Sequence, residues 1–298
     1  MKKINMFWPV YKNLEKEILS LADRIHFTDK QANVYSVYIA DLLVRIVIEI
    51  EAISKELYLQ IGGNPQPIDK SGYKRDLYFD TDCLKMLNDN WNLDKKKVSI
   101  VASNFYFSNE ENYIIKPLYK SGMRGSSGCK WKQGYQAVKH DRKNSLDKAT
   151  IINMLNAMAA LYILNLYYKE EKIIIGNSYM STHVFDNRLN SEIFSIFVYE
   201  AVVIKRSTDL SLKMDDSCIV NTHGINLDEA VYIIKFDDLS FEIMHQNYNS
   251  DWKDYYKEIK ESIKLVDFPV GLTPPPKEIV TYEAIINKNT SIYPTQLP

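Results

Sequence analysis

The sequence predicts an α+β chain, mainly α, and three observations carry that expectation. Two long stretches, residues 32–61 and 147–168, place apolar side chains at helical spacing with no Gly or Pro inside them. After Lys172 the composition turns to β-branched and aromatic runs: IIIG from Ile173, EIFSIFVYEAVVIKR from Glu192 and EAVYIIKFDDLSFEI from Glu229. The tail from Asp267 then carries Pro269, Pro274, Pro275, Pro276, Pro294 and Pro298. The expected organisation is a helical bundle over residues 1–170 with its core at about 34–168, a small β-rich unit over 171–250, and a helix plus extended Pro-rich tail over 251–298.

Taken in order, residues 11–21 read as a short helix and 23–30 as a connection. The helix over 32–61 is stopped by Gly62-Gly63, with Pro65 and Pro67 beyond. Leu42, Ile46, Ile50, Ile53 and Leu57 form its apolar arc, while Asp41, Arg45, Glu49 and Glu56 lie opposite, with Glu51 and Lys55 extending that side. The spacing allows i,i+4 pairs of Asp41 with Arg45, Arg45 with Glu49, and Glu51 with Lys55. Val44 and Ile48 interrupt the polar arc, which implies that another element covers part of it.

Residues 64–74 form a loop, 78–91 a helix with Leu84, Leu87 and Trp91 inward, and 98–102 a short strand or extended connection. The SGMRGSSG run within 120–129 is too flexible for regular structure, and Arg124 sits in its middle. If residues 135–142 are also helical, Tyr135, Lys139 and Arg142 share one face and Gln136 and His140 lie on another, with a bend expected at Lys143-Asn144. The helix over 147–168 has Ser145 as its expected N-cap and Asp147 in its first turn. It is apolar around its whole circumference, and Ala157, Ala159 and Ala160 admit a close neighbour, so it belongs at the centre. The β unit reads as largely antiparallel with a turn at Asp237-Asp238, and residues 251–265 return to helical spacing.

At 298 residues, 46% hydrophobic and 25% charged, the composition is that of an ordinary globular protein. The net charge of -1 conceals an uneven distribution. Over 113–148 nine Lys or Arg face two acids, and over 226–262 nine acids face four Lys. The basic block attracts phosphate-rich partners on one reading and is solvated surface on the other. Cys83, Cys129 and Cys218 are odd in number and widely separated, which suggests neither a disulfide framework nor a zinc site. The N-terminus lacks the apolar run of a signal peptide, and no stretch reads as a membrane span, so a cytoplasmic location is expected.

Phosphate-loop, dinucleotide and Gly-x-Ser-x-Gly signatures are missing, and the five His never occur in pairs at metal-ligand spacing. Neither cofactor nor metal is implied. What remains is Lys139-His140-Asp141-Arg142, four ionisable residues next to an apolar helix. An imidazole transfers protons near neutrality, and Lys139 and Arg142 can neutralise charge on a phosphate. Metal-free RNA cleavage, in which a 2′-hydroxyl attacks its own phosphodiester, needs those parts. Asp141 can orient the imidazole, pair with Arg142, or face water. The competing reading is a helix-end His within a structural polar network.

The segments LLVRIVIEIEAISKELY (42–58), YQAVKHDR (135–142) and ATIINMLNAMAALYILNLYY (149–168) stand in an order that resembles the HEPN superfamily, more closely its uncharacterised branches with an AVKHDR segment before an Ala-rich helix. The resemblance covers about residues 34–168. It implies an antiparallel bundle of four or five helices, frequently dimeric with the polar segments facing each other. It also implies metal-independent ribonuclease activity in toxin-antitoxin, abortive-infection or other antiviral systems, or in RNA processing, with inactive members serving as binding or scaffold modules. Active members carry an Arg separated from a following His by four to six intervening residues. Here His140 stands for that His, whereas Gln133, Gly134 and Tyr135 occupy the Arg window. Lys132 and Lys130 are the nearest bases upstream, and Arg124, Arg142, Arg45 or Lys55 can substitute only through space.

Two functions follow as expectations. One is a defence or toxin endoribonuclease with His140 as proton-transfer residue, Arg142 and Lys139 at the phosphate, and Glu51, Lys55 and Arg45 organising them; RNA, a second copy of the chain and an antitoxin or defence-system protein are the expected partners. The other is a non-catalytic HEPN-like module that binds nucleotide or nucleic acid, or locks two protomers together. The β unit offers Asp186, Arg188, His183 and His223 as a third contact region, without a recognisable spacing.

Overall fold

The computed structural model describes residues 5–176, 185–200, 202–203, 219–220, 227–236 and 282–288. The expected helix at 251–265, the Asp237-Asp238 turn, His183, His223, His245 and Cys218 lie outside the described residues. The fold is α+β and mainly helical. The chain divides into two units, Met1–Glu170 with Asn187–Phe197, and Glu171–Asp186 with Val198–Pro298.

Among the described residues the first unit is built on seven α-helices: α1 (Phe7–Ala22), α2 (Val37–Gln60), α3 (Lys85–Trp91), α4 (Glu110–Tyr113), α5 (Lys130–His140), α6 (Arg142–Ser145) and α7 (Ile151–Lys169). At its centre α2 packs along α7. The two start side by side, joined by a bridge between Tyr35 and Thr150 and by Ile151 N–H donating to the Val34 carbonyl at 3.0 Å. In α1, Phe7 meets Tyr168 and Tyr11 meets Tyr162, so α1 runs against α7. In α5, Tyr135 meets Glu51, and beyond it Arg142 meets Asp41, so α5 and α6 run against α2.

Each end of α2 has a local cause. Ser36 caps it by accepting the Ile39 N–H at 3.1 Å. At its far end Gly62 takes φ +88°, while the Gly63 N–H reaches the Tyr58 carbonyl and the Gly62 N–H reaches that of Leu59, the two bonds of a Schellman stop. Leu42, Ile46, Ile50, Ile53 and Leu57 are buried as the wheel requires. The cover implied by Val44 and Ile48 is partial: Val44 is half-buried and Arg45 is held by Glu17 of α1, while Ile48 is 50% exposed.

The central helix begins later than its composition suggests. Thr150, not Ser145, is its N-cap, accepting the Asn153 N–H at 3.3 Å, because residues 146–148 form a separate 3-10 turn. Every residue from Ala157 to Tyr167 is buried. Ile151–Lys169 is long and apolar enough to cross a membrane by length and composition, and 78% of an 18-residue window within it is buried inside the protein, which accounts for the apolarity.

Short strands trim this unit. β1 (Phe27–Thr28) pairs in parallel with β3 (Phe105–Tyr106), while β2 (Val98–Ile100) lies between β4 (Ile114–Ile115) and β6 (Phe194–Ile196), antiparallel to both. Residues 187–197 thus return to the helical unit although their composition is continuous with the β runs. Buried Glu15 of α1 holds them, accepting from the Ser191 hydroxyl at 2.6 Å and the Glu192 and Ile193 N–H groups at 2.9 and 3.2 Å.

In the second unit β5 (Ile173–Gly176), β7 (Val198–Glu200), β10 (Tyr232–Phe236) and β11 (Tyr282–Ile286) form a sheet in the order β5-β11-β10-β7. Its pairs are antiparallel except β10 with β7; β8 (Val202–Val203) and β9 (Ile219–Val220) make a separate antiparallel pair. Part of the expected surface tail is therefore an inner strand. Ala284 and Ile286 are buried on one face and Glu283 on the other, and the Asn287 side-chain amide donates to the Ala230 carbonyl at 3.0 Å.

Candidate functional site

A cleft of about 560 Å³ opens in the helical unit, lined by Glu51 and Lys55 of α2, the 77–80 segment, Arg124-Gly125, and Lys132, Gln133 and Gln136 of α5. Asp80 organises its floor. Its carboxylate is 7% exposed and accepts from Arg124 Nε at 3.0 and 3.2 Å, Lys132 Nζ at 3.3 Å and the Thr81 N–H at 2.7 Å. The geometry comes from a π-helical turn, Phe79–Leu84, which starts where Asp82 accepts the Tyr78 N–H at 2.8 Å and is clamped bidentately by Arg75 at 2.6 and 2.8 Å. The Arg75 bond holds the Asp82 carboxyl below its ordinary range.

Lys132 points inward and is 4% exposed, with its ammonium on Asp80, the Ser121 carbonyl at 2.7 Å and the Met123 carbonyl. That one side chain orders the SGMRGSSG loop, together with Gln133 donating to the Gly128 carbonyl at 2.6 Å. Arg124 is thereby fixed at the cleft wall, its guanidinium 3.8 Å from the Tyr78 ring centroid, with Arg75 also over that ring at 4.4 Å.

Opposite, Lys55 has no hydrogen-bond or ion-pair partner among the described residues. Glu51 does not pair with it, accepting instead the hydroxyl of buried Tyr135 at 3.1 Å. Burial, reinforced by the Glu51 charge, pushes the Tyr135 hydroxyl up to about 12. Burial also raises the thiols of Cys83, to about 12, and Cys129, to about 11, so neither is a ready nucleophile.

The residues expected to form the site divide in two. Glu51, Lys55 and Arg124 meet in the cleft. His140, Lys139, Asp141, Arg142 and Arg45 do not line it. His140 is exposed at the end of α5, with no hydrogen bond among the described residues. Asp141 breaks the helix there, at φ -147° and ψ 74°, and caps α6 by accepting the Asn144 N–H at 3.3 Å, so the bend falls at Asp141 instead of Lys143-Asn144. Arg142 is bound to Asp41 and to the Val37 carbonyl at 3.4 Å. Lys139 lies over the Tyr135 ring at 5.4 Å. Arg45 is clamped by Glu17 of α1 at 2.6 and 2.7 Å, which displaces the expected pairs with Asp41 and Glu49.

The window 133–135, where the resemblance implies an Arg, also has a physical reading. A Cβ at Gly134 would sit 2.6 Å from the Lys148 carbonyl oxygen, and Tyr135 is buried, so only position 133 faces the cleft. Tyr78, Asp80, Lys132, Gln133 and Gln136 were not foreseeable as a set. The one signal was the Asp80/Asp82 doublet inside an otherwise apolar-aromatic turn, opposite a basic block. Comparisons with protein-family models, curated proteins and solved structures find no match. Among the described residues no group of three or more His, Cys, Asp or Glu could hold a metal ion.

Proposed function

We propose that the helical unit is a HEPN-like nucleic-acid-binding module, cytoplasmic and serving a prokaryotic defence or toxin system, that takes a phosphate of RNA into the cleft between α2 and α5. The observation that carries this is Lys55, an ammonium at the wall of the cleft without a carboxylate partner among the described residues. Arg124 stands at the wall with it, and the amide of Gln136 adds a hydrogen-bonding group. An anion entering there gains a charge-assisted bond without breaking an existing one at Lys55. The order of α2, the polar segment and α7 supports the family reading. Pairing of two copies through the exposed 139–142 segments and an antitoxin-like partner belong to the same proposal.

The test is fluorescence anisotropy with a labelled single-stranded RNA at two salt concentrations. Affinity should fall as salt rises, with a shallower slope in Lys55→Ala. RNA binding that is absent, or indifferent to Lys55, would overturn the reading.

One observation favours a second reading, metal-independent cleavage at the cleft edge. Gln136 lines the cleft, and His140 follows four residues, about 6 Å, further along α5 on nearly the same face. Degradation of RNA in chelator, abolished by His140→Ala, would establish it; RNA left intact by the wild type would remove it.

A further inference from the structure

The cleft holds a second functional group beside Lys55 whose bonding is incomplete. Glu51 lies one turn before it on α2, and its only partner among the described residues is the Tyr135 hydroxyl. An ionised carboxylate has about four acceptor positions, so most of them stay open. Tyr135 is itself buried, which holds the accepting oxygen in a defined place. A cleft with an unpaired cation and an oriented, cation-free carboxylate complements a ligand that joins a phosphate to a strong donor edge.

Among the RNA bases guanine has that edge. Its N1–H and N2–H₂ donors are adjacent and match the two oxygens of a carboxylate. Adenine and cytosine set one donor beside an acceptor, and uracil sets its single donor between two acceptors, so each turns a lone pair toward the negative charge. The walls suit a base as well: the planar Arg124 guanidinium, laid on the Tyr78 ring, lines the cleft. A volume of about 560 Å³ is of the size that takes a small organic ligand.

We infer that the cleft selects guanine, with Glu51 reading the Watson–Crick edge, Tyr135 positioning Glu51, and Lys55 with Arg124 at the phosphate. The inference rests on the nucleic-acid reading above and adds base identity to it.

The experiment compares two labelled heptaribonucleotides, uridine throughout except for a central guanine or a central adenine, on the full chain. The wild type should bind the guanine heptamer about tenfold more tightly, the discrimination expected of one bidentate contact. Glu51→Gln keeps the shape and can still accept from Tyr135, yet presents one acceptor and one donor; it should bring the ratio near one. Tyr135→Phe, which keeps the buried ring and frees the carboxylate, should lower the ratio part of the way. Circular dichroism checks that both variants fold. A ratio near one in the wild type, or a ratio unchanged in both variants, overturns guanine selection while leaving the phosphate site standing. If neither heptamer binds, the phosphate site itself is wrong and the selection goes with it.

Discussion

The two halves of the polar arc on α2 look alike in composition and are used in opposite ways. Near the start of the helix, Asp41 and Arg45 are each occupied by a partner from another element, Arg142 and Glu17. Two to three turns on, Glu51 and Lys55 carry the same two kinds of charge, yet Lys55 has no partner among the described residues and Glu51 has only a tyrosine. Ion pairs at an exposed surface contribute little and are screened by salt. An unpaired charge on the wall of a cleft is the more informative kind, since its best partner is one the chain does not supply. Side chains that the rest of the fold has left incomplete are thus better guides to a site here than the densest cluster of charges in the sequence.

The largest effect that can test this contrast is on the cleft floor. Asp80→Ala leaves the Lys132 ammonium buried without its carboxylate, and stability should fall by about 3 kcal/mol, read from thermal or urea unfolding. A loss below about 1 kcal/mol would show that the Ser121 and Met123 carbonyls suffice for Lys132 and that Asp80 does not organise the cleft. Next is Gly134→Ala, whose methyl meets the Lys148 carbonyl at 2.6 Å; pushing that turn away should cost about 1–3 kcal/mol.

Lys55→Ala should weaken RNA binding about tenfold with folding unchanged, whereas Arg45→Ala, at the occupied end of the same arc, should leave affinity unaltered. Equal losses in both would erase the distinction between the two halves. Arg142→Ala should cost less than about 1 kcal/mol, because its pair with Asp41 is half exposed on each side.

The smallest effects are titrations. The Asp82 carboxyl is held down by Arg75, so its pair is fully present above the ordinary value of 3.8 and is lost as pH falls through the lowered one. Asp82→Asn should therefore flatten the acid side of the stability curve and change its slope little near neutrality. Glu49 goes the other way: partial burial raises its carboxyl above the ordinary 4.5, so the ionised form costs stability at higher pH. Glu49→Gln should gain under about 0.5 kcal/mol near neutrality and nothing below pH 4.

Much of the helical unit was legible one residue at a time. Gly62-Gly63 reads as a stop because a positive φ and two bonds to preceding carbonyls are local matters. The apolar arc of α2 and the all-round burial of α7 follow from periodicity alone. The candidate site was half legible. Glu51 and Lys55 are expected from the polar side of α2 and Arg124 from its loop through space, and they do meet. The other half, centred on His140, was drawn from a run of four adjacent ionisable residues, and adjacency along the chain says nothing about a shared cavity. Asp141 takes a broken-helix conformation to cap α6, and with that the cluster stays at the surface.

The sequence by itself determined which stretches are helix, where they stop, which face is apolar and which composition builds sheet, since hydrophobic spacing, caps and backbone freedom act within a few residues. Only the tertiary structure decided that Asp80 sits under Arg124 and Lys132, that β6 joins the helical unit while β7 two residues later joins the other sheet, and that β11 is an inner strand. These depend on which distant carboxylate, amine or strand edge comes within about 3 Å of another, and that selection is made by packing the whole chain at once.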